Sequence, residues 1–254
     1  MESASGKVLY HSGPIEVLLT DSAKSAGCQY VSTNESYSID YYPKLVDKYL
    51  ACGIIGGGEQ LLCLARNPEV HEIIGIDNNL SQIALFMGKI SRFHENRSEL
   101  LKAAKTIWSD KQDLEATLDR YFRSDVKYHA FGPIYEALGK RLNENSLNLK
   151  IIAGECTEAF LKLPPKGTVY LSNVPDCFEN QGLLLSSLNP FLDAGSTIIL
   201  CEISSDYYAS KVPEFIELMS HNKGYRPTNT IKAFTGGWGE TLRETIYVLD
   251  KCLA

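Results

Sequence analysis

The stretch from Leu50 to Lys89, LACGIIGGGEQLLCLARNPEVHEIIGIDNNLSQIALFMGK, reads as strand, glycine turn, helix, strand and acid. Tyr49 to Ile55 is an apolar run of strand length that stops at Gly56-Gly57-Gly58. Glycine there lets the backbone turn sharply and approach a ligand without a Cβ clash. A short amphipathic helix is predicted from Glu59 to Arg66. Asn67-Pro68 ends it, because proline disfavours the helical conformation of the residue before it. Glu72 to Ile76 is a second strand of the buried type, closing on Asp77.

Asp77 lies nineteen positions after Gly58, close to the roughly 20-residue interval at which an acid in a nucleotide-binding βαβ unit meets ribose hydroxyls. The glycine pattern is G-x-x-G-G-G from Gly53, and not the G-x-G-x-x-G of nicotinamide or flavin binders. That departure points away from dinucleotides. It suits adenosine without a pyrophosphate, and S-adenosylmethionine is the common ligand of that description. An ordinary α/β turn followed by a surface aspartate is the alternative.

The segment GIIGGGEQLLCLARNPEVHEIIGIDNNLSQIALFMGKISRF resembles the cofactor-binding stretch of the 3-amino-3-carboxypropyltransferases related to the first enzyme of betaine-lipid synthesis. In that family a glycine-rich turn, a strand-end acid, an Asn, a Gln and a long apolar helix with a lysine occur in this order. Asp77, Asn79, Gln82 and Lys89 occupy those places. The match covers about forty residues. The family usually has Asn-Pro after the acid, whereas this chain has Asn78-Asn79-Leu80. The cofactor contacts expected in this stretch are Gly56, Gly57, Gly58, Asp77, Asn78 and Gln82.

The 254 residues, 44% of them apolar, suffice for one α/β domain spanning 1–254, with 1–47 as arm and lid and 80–147 as a helical cap. A net charge of −6 argues against a nucleic-acid backbone or anionic membrane partner, which selects clustered Lys and Arg. A small-molecule substrate fits better. The seven cysteines form no C-x-x-C pair and read as reduced small hydrophobes of a cytoplasmic protein. The five histidines lack metal-ligand spacing, so no metal site is expected. No signal-peptide core and no run approaching about 18 apolar residues is present.

The first thirty residues alternate short apolar runs with Ser, Gly and Asp and read as an arm wrapping the core. Tyr30, Tyr37, Tyr41 and Tyr42 come just ahead of the first strand, as a lid or as packing between arm and core. Phenol faces attract a sulfonium by about 0.5 to 2 kcal/mol. Between Asp77 and the strand at Leu149 to Ile152 lie about seventy residues, far more than a crossover needs. Apolar spacing places helices at Leu80 to Phe93, Leu100 to Trp108, Leu114 to Phe122 and Ile134 to Leu142.

Residues 150 to 156 supply a third strand and a Gly154-Glu155 turn expected beside the adenine. Residues 168 to 176 form a fourth strand running into Ser172-Asn173-Val174-Pro175-Asp176. Ligands in open α/β sheets bind beyond the carboxyl ends of the strands, so this polar tip is expected at the reacting carbon. Asn173 can accept from an amine and donate to a carboxylate, and Asp176 can orient an amine or take its proton. A plain turn is the alternative. Residues 196 to 204 are a fifth strand, with Glu202 through Asp206 near the pocket. Pro213 to Met219 is helical. Thr235 to Glu240, with Trp238, reads as a flexible loop before the last strand, Glu244 to Leu249. The expected fold is therefore α/β: a Rossmann-like class I methyltransferase fold with a mostly parallel seven-stranded sheet, an antiparallel last strand and a helical insertion after strand 2.

S-adenosylmethionine presents three carbons on one positive sulfur, and the geometry of the nucleophile selects which is displaced. Positioning alone supplies several kcal/mol of such a barrier. The resemblance implies attack at the γ-carbon of the methionine part with release of methylthioadenosine. The nucleophile is either the cofactor's own amine, giving azetidine-2-carboxylate, or a small acceptor that takes the 3-amino-3-carboxypropyl group. Asn173, Asp176 and a lid tyrosine such as Tyr41 are the expected catalytic residues, with Gly154, Glu155, Ser172 and Asn173 completing the cofactor contacts. A small-molecule methyltransferase and a non-catalytic binding protein are the alternatives.

Overall fold

The computed structural model describes residues 7–29, 38–46, 49–123, 125–204, 209–237 and 240–252. Strands β1 (Lys7–Ser12) and β2 (Ile15–Leu19) precede helix α1 (Ser38–Leu45), and β3 (Leu50–Ile54), α2 (Glu59–Leu62) and β4 (Glu72–Asp77) form the first parallel unit. The insertion after β4 comprises α3 (Leu80–Ser91), α4 (Arg97–Ile107), α5 (Leu114–Arg123) and α6 (Asp125–Asn143). Then come β5 (Asn148–Ala153), α7 (Cys156–Lys162), β6 (Thr168–Ser172), α8 (Gln181–Ser187), α9 (Asn189–Asp193), β7 (Thr197–Ser204), α10 (Val212–Lys223), β8 (Tyr225–Gly237) and β9 (Glu240–Lys251).

These strands share one sheet in the order β1-β2-β5-β4-β3-β6-β7-β9-β8. From β2 to β7 all pairings are parallel, while β1 runs antiparallel to β2, and β9 antiparallel to both β7 and β8. The strands from β3 to β9 form the expected Rossmann-like class I methyltransferase sheet, antiparallel ending included.

Strand side chains alternate between two cores, as a period of two requires. Ala51, Ile73, Ile151, Tyr170 and Ile199 face the core built with α2 to α6. Cys52, Ile74, Ile152, Val169 and Ile198 face the core built with α7 to α10. Both faces of the sheet are thus covered, which explains why its strands read as continuous apolar runs.

Three expectations are corrected. The sheet has nine strands among the described residues, not seven, because the arm folds into a hairpin at Gly13-Pro14 and pairs with β5. Ile15 and Val17 are buried on either side of half-buried Glu16, the alternation that a half-covered strand needs. The fourth insertion helix begins at Asp125 and continues through Pro133, a residue that lacks the donor for one helical hydrogen bond yet is carried by the flanking turns. Residues 235–237 and 240 belong to β8 and β9, not to a loop, because the long β8–β9 ladder runs to Gly237 and Glu240.

Seven free cysteines include buried Cys52, Cys63 and Cys201 and exposed Cys177 and Cys252. Among the described residues no helix is long and apolar enough to cross a membrane.

Candidate functional site

The chain leaves β3 in one direction to form β4 and returns on its other side to form β6, so the strand order reverses at β3. A crevice at such a switch point, outside the carboxyl ends of parallel strands, is where ligands bind in this architecture. Four predicted segments converge on that edge: Gly56-Gly57-Gly58 after β3, Asp77-Asn78 after β4, Gly154-Glu155 after β5 and Ser172-Asn173 at the end of β6.

The glycine turn is held from below by α3. Gly56 and Gly58 have φ of +48° and +95°, and a Cβ on Gly58 would lie 2.5 Å from the Phe86 ring. Glycine is therefore required at position 58 for both conformation and contact. The Gln82 carboxamide donates to the Gly56 carbonyl, and Lys89 Nζ donates to the Gly57 carbonyl at 2.6 Å. Lys89 and Glu59 are both fully buried and paired at 2.6 Å. The Tyr121 hydroxyl donates to the same Glu59 oxygen, Tyr135 reaches it at 3.3 Å, and the two phenols stand 2.9 Å apart.

Asp77 accepts from the Gly56 N–H at 3.2 Å on one oxygen and from the Asn79 N–H at 2.9 Å on the other. Each carboxylate oxygen carries a second lone pair and so keeps an acceptor position. Burial pushes the Asp77 carboxyl up to about 6; the N–H groups of Asn79, Gly56 and Asn78 offset part of that rise, and the Glu155 charge adds to it. Asn79 caps α3 by accepting from the N–H groups of Ser81 and Gln82.

Glu155 accepts from Lys24 Nζ and, at 3.0 Å, from the Asn78 side chain. The Lys24 hydrogen bond is the main reason that its carboxyl sits below the usual carboxylate range, against a smaller opposing effect of burial. Lys24 comes from the arm, to which the sequence alone assigned no role. After β2 the arm crosses the ends of β5 and β4: the Thr20 N–H bonds to the Ala153 carbonyl at 2.9 Å, and Lys24 bridges to Asn79 in parallel. Beyond it the Gly27 carbonyl accepts from the Asn79 side chain, and the Cys28 N–H donates to Asp110. The arm thus walls the β5 side of the crevice.

On the other side of β3, Ser172 has φ +54° and sits where the β6–β7 register shifts. A non-glycine residue in the left-handed region at a strand-end bulge stores strain of about 1–3 kcal/mol and re-aims its successor in the chain. That successor is Asn173, whose Oδ1 accepts from the Ser172 hydroxyl at 3.3 Å.

Two expected catalytic residues are engaged elsewhere in the described structure. Asp176 accepts from the Ser210 hydroxyl at 2.9 and 3.1 Å and from the Lys211 N–H, fixing the entrance to α10. A carboxylate so occupied is a structural anchor. Asp176→Ala is expected to lower the unfolding free energy by about 1–3 kcal/mol in urea denaturation, and a loss of a few tenths would show the anchor to be dispensable. Tyr41 is 38% exposed, and Lys44 lies 5.8 Å above its ring. The helical period of α1 turns its neighbour Tyr42 inward instead, tilted against Tyr170 at 4.7 Å. Tyr30, Tyr37, Asp206 and Trp238 lie outside the described residues. Glu202 accepts from the Tyr247 hydroxyl at 2.7 Å.

Gln60, which no sequence motif singled out, is a further candidate. It is buried directly after the glycine turn and Glu59, and its Oε1 has no hydrogen-bond partner among the described residues. Among the described residues no three His, Cys, Asp or Glu side chains gather as metal ligands.

The strand order alone assigns the fold. No family model matches the chain, and no curated protein matches it. Solved structures do. A protein assigned as an RNA methyltransferase from Pyrococcus horikoshii aligns over 91% of this chain and 92% of its own length, at 12% identity and a TM-score of 0.45. Magnesium protoporphyrin IX methyltransferase from Synechocystis PCC 6803, solved with bound SAM, aligns over 85% of this chain and 79% of its own, at 10% and 0.44. A protein assigned as a methyltransferase from Streptococcus mutans, in complex with SAH, aligns over 83% and 95%, at 10% and 0.37. With every one of these TM-scores under 0.5, the likenesses add nothing to what the topology establishes.

Proposed function

We propose that the chain binds S-adenosylmethionine across the carboxyl edge of β5, β4, β3 and β6 and displaces methylthioadenosine from the γ-carbon of its methionine part. The observation that carries this reading is the gathering of four strand ends into one row of groups. Asp77 offers two acceptor positions to ribose hydroxyls, the backbone at Gly154-Glu155 faces the adenine side, and Asn173 stands across the glycine turn. The resemblance over Gly53 to Phe93 selects the γ-carbon among the three carbons on sulfur.

In the cyclisation version the neutral amine of the methionine part attacks its own γ-carbon. The new N–C bond forms as the C–S bond breaks, the electron pair stays on sulfur as a neutral thioether, and the amine loses a proton to solvent. Asn173 accepts from an amine N–H and so aims the nitrogen lone pair. Alignment replaces a strong base in this scheme. In the transfer version a small external nucleophile takes the same trajectory. Cyclisation consumes the cofactor alone, whereas transfer needs a second substrate, and that difference separates the two versions.

Incubating the purified protein with S-adenosylmethionine alone and identifying products by mass spectrometry tests the proposal. Methylthioadenosine with azetidine-2-carboxylate is the expected result, and methylthioadenosine with homoserine or its lactone assigns the transfer version. Intact cofactor, or S-adenosylhomocysteine once candidate acceptors are added, overturns γ-carbon chemistry in favour of binding or methyl transfer. Asn173→Ala is expected to slow methylthioadenosine release about tenfold, the worth of one oriented hydrogen bond.

A further inference from the structure

We propose that Tyr121 and Tyr135 of the helical insertion are positioning residues for the glycine turn, acting through Glu59 and Lys89, so that the insertion belongs to the binding apparatus. The proposal rests on the reading that this turn cradles S-adenosylmethionine. One carboxylate oxygen of Glu59 collects Lys89 Nζ at 2.6 Å, the Tyr121 hydroxyl and, at 3.3 Å, the Tyr135 hydroxyl. Lys89 also lies 4.2 Å from the Tyr121 ring centroid. Burial and the Glu59 charge push both phenols up, so they remain protonated donors.

The other hydrogen bond of Lys89 leads to the turn. Gln82 and Lys89 draw two successive carbonyls, those of Gly56 and Gly57, toward α3. In a trans peptide the carbonyl and the following N–H point in opposite directions. Holding the Gly56 carbonyl down therefore turns the Gly57 N–H outward, while the Gly58 N–H folds back to the Ile55 carbonyl at 2.7 Å. The outward donor is set by α3, and the lysine of α3 is set by Glu59 and the two phenols.

Packing alone does not call for these polar atoms. Replacing a buried ion pair by apolar residues of similar volume is often neutral or stabilising, and phenylalanine fills nearly the volume of tyrosine. The insertion already has an aromatic core of its own, with Phe93 stacked on Tyr135 at 5.1 Å and Phe122 against both. What the hydroxyls add is a fixed direction for Glu59, and hence a fixed place for Lys89 between carboxylate and turn.

The test uses the intact chain with Tyr121→Phe, Tyr135→Phe, their combination, and the all-apolar Glu59→Leu, Lys89→Met, Tyr121→Phe, Tyr135→Phe. Affinity for S-adenosylmethionine is read by calorimetry, and amide exchange across residues 55–62 is read in the ligand-free protein. The double tyrosine variant is expected to bind about tenfold more weakly and to exchange faster at the turn. The all-apolar variant is expected to regain thermal stability relative to Lys89→Met without regaining affinity. Wild-type affinity and exchange in the double variant, or affinity restored along with stability in the all-apolar one, overturns the proposal. Either single variant serves if the double fails to fold. A wild-type protein that does not bind the cofactor sinks the functional reading only, because the exchange measurement on the ligand-free turn still decides the positioning role.

Discussion

Lys89→Met is expected to lower the unfolding free energy by about 3–5 kcal/mol, because it removes one partner of a pair that has no access to water. Methionine matches the lysine stem in length and hydrophobicity, so the loss is not one of volume. It is the cost of leaving the Glu59 carboxylate buried without its ammonium partner, and the Gly57 carbonyl without the ammonium. The midpoint of urea unfolding should fall while its slope stays constant, since the surface exposed on unfolding is unchanged. Lys24→Met provides the contrast. That lysine is 66% exposed in its pair with Glu155, and surface pairs contribute about 0–1 kcal/mol. Equal effects from the two substitutions would show that burial does not decide what the Lys89 pair is worth.

Asp77→Ala is expected to weaken S-adenosylmethionine binding by at least about a hundredfold in calorimetry, since two hydrogen bonds to a charged acceptor are worth about 1.5–3 kcal/mol each. The proposed contact predicts a pH signature in the wild-type protein. Burial holds the Asp77 carboxyl up at about 6 in the folded chain, above the ordinary value near 4. Between those values the folded protein keeps a proton that the unfolded chain has released, so this group's contribution to stability declines as pH rises through that window. Cofactor affinity runs the other way. Ribose hydroxyls donate to the ionised carboxylate, so affinity should rise about tenfold from pH 5 to pH 7 and then level off. A flat profile in the wild type, or a profile retained in Asp77→Ala, would remove Asp77 from the ribose contact.

The central unit was legible because its signals are local. Gly56 to Gly58, Asp77 at the strand end and the apolar period of α3 are each set by neighbours in the chain. The insertion was legible from length, as seventy residues exceed any simple crossover. What escaped depends on contacts between distant segments. The alternation of Ile15, Glu16 and Val17 is short enough to belong to a strand or a loop, and only the open edge of β5 makes it a strand. Asp176 looked catalytic because Asn, Pro and Asp at a strand end suit both a site and a turn. Its tie to Ser210 and Lys211, thirty-four and thirty-five positions on, is a contact that no local pattern announces. Tyr41 and Tyr42 were indistinguishable until α1 gave one of them to solvent and the other to Tyr170.

The pairing of β2 with β5 also bears on the order in which the molecule can assemble. Thr20 bonds to Ala153 across a separation of 133 residues, so β2 is made long before the strand it pairs with in parallel. At a synthesis rate of about 5–20 residues per second, β2 waits on the order of ten seconds before β5 has been made. Closing so long a loop is slow, and placement of the arm across the ends of β5 and β4 is tied to that step. During the wait the apolar side chains of Ile15 and Val17 have no sheet to cover them. A nascent chain halted before residue 148 therefore carries a β1–β2 hairpin with an unpaired edge, and completion of β5 is the event that covers that edge.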